Sequence, residues 1–268
     1  MSSDEGNKKP ELFYEKKGEG EVVVLIHGFT LDNRMWNDQF DLLAKSYQVI
    51  RFDQRGHGRS EGVSNRFKQE DDLKGLFETL KIDSAHVVGL SMGGHVATIF
   101  TIEYPELVHS LVVADSAITF NPSRECDKRI FNYIMKGINQ DLKSALKDWL
   151  SDPLFEPAMR IPNVKKRMEE MVLNGHVAQG QGAFFLKATN AIAPRPPPEK
   201  RLSEINIPTL IIVGELDIPQ FQENANILSS GIKGAKKVII SGAGHMSNME
   251  NSDEFNNILL SFLTEQKD

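Results

Sequence analysis

Cysteine is almost missing from this chain. The single thiol, Cys126, excludes a disulfide within one copy and suits a reducing compartment. Basic charge is not in excess. Thirty-one Lys and Arg against 37 Asp and Glu leave a formal net charge of -6. That balance argues against nucleic acid or an anionic membrane surface as partner. No apolar run approaches the ~20 residues of a membrane helix, so no membrane insertion is expected. Residues 1–10 are polar and lack the apolar centre of a signal peptide, so a soluble, cytoplasmic protein is expected. Internal repeats are absent. So are H-E-x-x-H, CxxC and G-x-x-x-x-G-K-[ST], the commonest zinc, redox and nucleotide signatures. No metal and no organic cofactor is expected, and the expected partner is a small-molecule substrate. The oligomeric state stays open.

What is present is a chain of 268 residues, 40% hydrophobic, enough for a sizeable core in one large α/β domain or two small ones. Leu12-Phe13-Tyr14 and Glu21–Ile26 read as strands, joined as a hairpin through Gly18-Glu19-Gly20. The second strand ends at His27-Gly28-Phe29. Met35, Trp36, Phe40 and Leu43 follow at helical spacing. Tyr47–Phe52 is the next strand and runs into a glycine-punctuated loop, Asp53–Ser60. Leu73, Leu76, Phe77 and Leu80 mark an amphipathic helix. A buried strand ending at Leu90, a helix to about Tyr104 and a strand over His109–Asp115 complete the first half.

The alternation then breaks. From Ser116 to Lys200 there are helical patterns and no convincing strand, ending in the stiff run Pro194 to Pro198. Strands resume at Thr209–Val213 and Lys237–Ile240, and a last helix carries Phe255, Ile258, Leu259, Phe262 and Leu263. Alternating strands and helices predict an α/β fold with a mostly parallel central sheet and helices on both faces. Residues 1–115 and 201–268 form the expected core. Residues 116–200 form an inserted helical cap over the carboxyl ends of the strands, where such sheets place their sites.

The chain is organised around Gly89-Leu90-Ser91-Met92-Gly93-Gly94. Strand, sharp turn and helix start succeed one another there in the G-x-S-x-G pattern. Glycines two residues either side let a strained turn hold the serine hydroxyl clear of the backbone. The next helix aims its free N–H groups at the same spot. A serine hydroxyl needs a base, and the base an orienting acid. His245 follows the last strand and Asp217 the one before it. Asp115, nearer Ser91, is the rival acid, and Glu215 a second. Among the other histidines, His86 and His109 sit at strand starts, the wrong end. His95 packs inside the helix after Ser91, His57 shapes its loop, and His176 lies in the cap. Two donors for a developing oxyanion are expected from the backbone N–H groups of Phe29 and Met92. His27 is expected to brace its loop.

These pieces together resemble the α/β-hydrolase superfamily, in its branch of small capped serine hydrolases. They are His27-Gly28-Phe29, Asp53–Ser60, Gly89–Gly94, Gly214-Glu215-Leu216-Asp217 and Gly244-His245, in the family's order across nearly the whole chain. The resemblance implies a catalytic triad of Ser91, Asp217 and His245 acting on a carboxylic ester or lactone through an acyl-enzyme. The branch also holds carbon–carbon bond hydrolases, cofactor-free perhydrolases and slow signalling sensors. Epoxide hydrolases and haloalkane dehalogenases share the fold with an Asp nucleophile, which Ser91 argues against. Leu90 stands where many relatives carry His or Asn. An apolar pocket is expected from Trp36, Phe120, Trp149 and Phe184, with Phe29, Phe131, Phe155 and Phe185 as further candidates.

Overall fold

A run of β-branched and aliphatic residues flanked by glycine and turn residues makes each central strand, and period-two alternation sends their side chains to two faces. The computed structural model describes residues 11–60, 67–118, 121, 123–139, 141–173 and 194–267. Its strands are β1 (Tyr14–Lys17), β2 (Val22–Ile26), β3 (Gln48–Phe52), β4 (Ala85–Leu90), β5 (Val108–Ala114), β6 (Thr209–Gly214) and β7 (Lys236–Ile240). They form one seven-stranded sheet in the order β1-β3-β2-β4-β5-β6-β7. Only β1 is antiparallel to its neighbour.

The expected hairpin between the first two strands does not form. β1 pairs with β3, Tyr14 opposite Phe52, and β3 separates it from β2. Gly18 (φ 80°) turns the chain so tightly across the start of β3 that a Cβ there would lie 2.1 Å from the Tyr47 carbonyl oxygen. The glycines make a crossing over β3, not a two-strand turn.

Helices cover both faces. Val24, Ile26, Val87, Leu111 and Val113 pack against α2 (Gln69–Leu80) and α3 (Met92–Glu103), with Leu73, Phe77 and Phe100 at the contact. Val23, Leu25, Val88, Leu90 and Val112 face α1 (Asn37–Leu43) and the carboxyl-terminal helix Ser252–Thr264, through Phe40, Phe255 and Leu259. Between β5 and β6 come α4 (Glu125–Asn139), α5 (Leu142–Leu150), α6 (Glu156–Met159) and α7 (Pro162–Val172), with no strand among the described residues. Leu146, Trp149, Phe155, Met168 and Met171 extend the second core cluster without a break. Arg167 ties α7 to α1 through Asp38 at 2.7 Å. The helix α8 (Pro219–Gly231) links β6 to β7, α9 (Ser247–Glu250) follows β7, and Ser252–Thr264 is α10.

The tightest packing lies where α3 leaves β4. A Cβ on Gly89 would sit 2.2 Å from the Gly93 carbonyl oxygen, and one on Gly93 would sit 2.1 Å from that of Ile26. Both obstacles are backbone and have no rotamer to yield. Gly93→Ala is therefore expected to cost about 3 kcal/mol or more, read as a fall in the urea midpoint with unchanged slope.

Candidate active site

Ser91 sits between β4 and α3 with φ 57° and ψ -117°, backbone that L-residues rarely adopt. Its own N–H is spent on the Ala114 carbonyl at 2.9 Å, and its carbonyl accepts from His95 N and Ser116 Oγ. These bonds hold the turn, so Oγ projects at the carboxyl end of the sheet. Met92 opens α3, and the N–H groups of that first turn have no partner within the helix.

Three side chains from three strand ends meet there. His245 Nε2 lies 2.9 Å from Ser91 Oγ, and His245 Nδ1 lies 2.9 Å from Asp217 Oδ2. Asp217 Oδ1 accepts from the Ile218 N–H at 2.7 Å, leaving its other oxygen for the imidazole. His245 and Asp217 are both buried. Asp217 next to Nδ1 favours the tautomer that carries the proton there, so Nε2 is free to accept from the serine hydroxyl. The loop holding His245 has a brace that sequence reasoning missed. Glu250 accepts from the Gly244 N–H at 2.5 Å and the Met246 N–H at 2.9 Å, one on each side of the histidine. Burial raises the Glu250 carboxyl despite those two donors. Its only signal in the sequence is an acidic residue five positions after His245.

The loop after β2 is held as rigidly. Gln54 N–H donates to His27 Nε2 at 2.9 Å, so His27 Nδ1 carries the proton and donates to the Gly28 carbonyl at 2.8 Å. Burial holds the His27 imidazole below its ordinary value, in keeping with this neutral form. The brace expected of His27 is what its bonds describe. The Gly28 carbonyl also accepts from Leu31 N–H at 3.3 Å. In a trans peptide the Phe29 N–H points opposite that carbonyl. Gly28 itself passes close to Ser91, since a Cβ there would lie 3.5 Å from Ser91 Cβ.

The rival acid has other work. Asp115 accepts from the Gly214 N–H at 2.7 Å and makes a short hydrogen bond with Ser247 Oγ, bridging β5, β6 and the segment after His245. Burial and the nearby Asp217 carboxylate push the Asp115 carboxyl well above the usual range. Glu215 turns outward to Ser241 Oγ and the Gly242 N–H. His57 is buried, edge-on to the Phe29 ring, and burial holds its imidazole well below the ordinary value. His86 bonds Ser110 Oγ at the opposite end of the sheet.

The aromatic candidates separate. Trp36 is fully buried against Phe255 and touches no space that admits water, so it is core and not pocket wall, contrary to expectation. Its place in the helical stripe already favoured the core face. Trp149 packs edge-on to Phe29, with ring centres 6.1 Å apart, and its Nε1 donates to Thr30 Oγ1 at 2.8 Å. Phe155 lies between Trp149 and His245 with edge-to-face contacts to both rings. Phe221 lies 4.3 Å from the His245 ring and was not foreseen. Phe131 is exposed on α4. Phe120, Phe184, Phe185 and His176 lie outside the described residues. Among the described residues no three His, Cys, Asp or Glu side chains converge as metal ligands would.

The two acids are expected to separate on mutation. Asp217→Asn removes the acceptor of His245 Nδ1 and should lower Ser91 reactivity, read as fluorophosphonate labelling, by about 10⁴. Asp115→Asn should leave Ser91 reactive and shift unfolding stability by about 1–3 kcal/mol, because it disturbs a buried bridge.

Comparison with known proteins agrees with this fold. Residues 21–252 match the family described as alpha/beta hydrolase fold. A 2-hydroxy-6-oxononadienedioate/2-hydroxy-6-oxononatrienedioate hydrolase of Escherichia coli O81 (strain ED1a) is 30% identical, over 98% of this chain and 94% of that one. The enol-lactonase from Burkholderia xenovorans LB400 superposes with a TM-score of 0.83 at 25% identity, covering 95% of this chain and 97% of that one. A thermophilic esterase from Thermogutta terrifontis gives 0.84 at 27% identity, covering 96% and 94%. With a seven-stranded sheet of this order and a match across most of its length, the chain belongs to the alpha/beta hydrolase family of enzymes.

Proposed function

We propose that the protein is a serine hydrolase that cleaves a small, mostly apolar carboxylic ester or lactone through an acyl-enzyme on Ser91. The observation that carries this reading is the relay of two 2.9 Å contacts from Ser91 Oγ through His245 to Asp217. As Ser91 Oγ attacks the acyl carbonyl carbon, its proton passes to His245 Nε2. Asp217 holds the imidazole and stabilises its charged form. The Phe29 and Met92 N–H groups receive the developing oxyanion. Collapse breaks the bond to the leaving group, which takes the proton from His245. Water, with His245 again as base, then releases the acid and frees Ser91. The cycle needs no metal and no organic cofactor.

The helical segment between β5 and β6 acts as the cap and sets specificity. Its contacts with Phe29 through Trp149 and with His245 through Phe155 support that role. A neutral, apolar substrate fits its chemistry. Arg129 and Arg167 are engaged with Asp152 and Asp38, and Arg124 with Asn224, so none of them is held ready for a substrate carboxylate. This favours an ester or lactone over a dioate like that named for the Escherichia coli relative. The esterase and enol-lactonase likenesses support the same choice.

The test is hydrolysis of p-nitrophenyl esters from acetate to laurate by wild type and Ser91→Ala. Sustained turnover that disappears in Ser91→Ala is the expected result, and the best chain length measures the pocket. Turnover that survives Ser91→Ala contradicts the assignment. A single burst that stops indicates a slow sensor in place of a hydrolase.

A further inference from the structure

Thr30 is the strained residue of the loop after β2. It is β-branched, yet its φ is 63°, the left-handed region that such side chains avoid. It is also buried. A conformation of this kind persists only where the surroundings impose it. Two hydrogen bonds through one hydroxyl do so here. Thr30 Oγ1 donates to the Phe29 carbonyl at 2.6 Å and accepts from the Trp149 indole N–H at 2.8 Å. The three groups form a chain with one direction: indole N–H to hydroxyl, hydroxyl to carbonyl. The indole has a single donor and the buried hydroxyl a single proton, so the arrangement has one satisfied form.

That chain completes the fixing of Phe29. The peptide before Phe29 is pinned at the Gly28 carbonyl by His27 Nδ1 and Leu31 N–H. The peptide after it is pinned at the Phe29 carbonyl by Thr30. The Phe29 N–H lies in the first of these planes, and the second holds the chain on its far side, so a shift at Thr30 is passed to the N–H through Phe29. The second of these pins depends on a residue of α5, far along the chain. If the Trp149 donor is lost, the Thr30 hydroxyl loses the bond that sets its rotamer, and the strained loop can relax.

We infer that Trp149 is a positioning residue for the oxyanion hole: its indole N–H, acting through the Thr30 hydroxyl, holds the Phe29 N–H where the oxyanion forms. The inference rests on the reading of Ser91 as the nucleophile. It changes the part given to Trp149 from the wall of a substrate pocket to a link between cap and catalytic loop. The cap then contributes to the rate of the chemical step as well as to substrate choice, because the seating of α5 sets the aim of a transition-state donor. Phe155, 4.7 Å from the Trp149 ring centre and 6.2 Å from that of His245, carries the same helical segment to the other side of the site.

The experiment compares Trp149→Phe, Thr30→Val and their double variant with wild type. Trp149→Phe keeps an aromatic ring and removes the donor together with part of the ring's volume, so the labelling rate and the comparison with Thr30→Val separate the lost bond from lost packing. Thr30→Val keeps the branched shape and removes the hydroxyl. Two readouts are taken: kcat and KM on a p-nitrophenyl ester, and the rate constant for labelling by a fluorophosphonate. In labelling, Ser91 Oγ bonds to phosphorus, fluoride leaves and the serine proton passes to His245, while the phosphoryl oxygen occupies the oxyanion hole. Each single variant should lose about 10- to 100-fold in kcat and in labelling rate, with KM little changed. The double variant should be no worse than the poorer single, since both break one chain of bonds. Thr30→Ser should recover most of what Thr30→Val loses. A Trp149→Phe variant that keeps kcat and raises KM, or losses that multiply in the double variant, would overturn the inference. So would a lowered melting temperature with unchanged labelling. Wild-type protein that no fluorophosphonate labels overturns the nucleophile reading itself, a distinct result.

Discussion

Beneath Ser91 two stretches of backbone approach so closely that only hydrogen atoms fit between them. Gly93 in the first turn of α3 lies against the Ile26 carbonyl, where β2 ends. Three consequences follow from that one contact. The turn at Ser91 is forced into its left-handed conformation, which lifts Oγ away from the sheet. The first turn of α3 is directed at the same point, bringing the Met92 N–H with it. The loop leaving β2 begins within reach of Ser91, so Gly28 passes beside it and Phe29 follows. Ser91 and both expected oxyanion donors are thus set by a single approach of α3 to β2, supported by parallel pairing of β2 with β4.

The sheet does the rest of the positioning. β5, β6 and β7 run parallel beside β4, so the segments that follow them emerge at one edge. Asp217 comes from the end of β6 and His245 from the end of β7. Asp115 at the end of β5 braces both of those segments from below. Glu250 then fixes the two amides flanking His245. Each functional side chain rests on a rigid strand end and on a second polar group that holds its backbone. Such support is what keeps reacting groups within the narrow tolerance that proximity effects require.

Much of this was legible in the sequence, for physical reasons. The strands β2, β4, β5 and β6 are each built on an apolar run, interrupted only near the starts of β4 and β5 by His86, His109 and Ser110, because both faces are buried along most of their length. The glycines around Ser91 announce a backbone that admits no side chain. The order of Ser91, Asp217 and His245 follows from where strands end. What was not legible depends on pairing across long separations. The partner of β1 is chosen by its register with β3, and Gly18 serves a close crossing that local turn patterns do not reveal. Asp115 and Asp217 both follow strands, and only the packed geometry shows which of them reaches the His245 ring. The indole of Trp149 and the hydroxyl of Thr30 are 119 residues apart, and nothing local in either segment signals their bond. Trp36 and Trp149 look alike in an amphipathic pattern; the first is core and the second reaches the loop after β2.

The central claim is that Ser91 carries the acyl group in a covalent intermediate. Rapid acid quench of the protein during turnover of p-nitrophenyl acetate, followed by intact-mass and peptide mass spectrometry, tests it directly. The account predicts one added acetyl group, located on the peptide containing Ser91 and absent from Ser91→Ala. Steady turnover with no acyl adduct, or with the acetyl group on another residue, would contradict it.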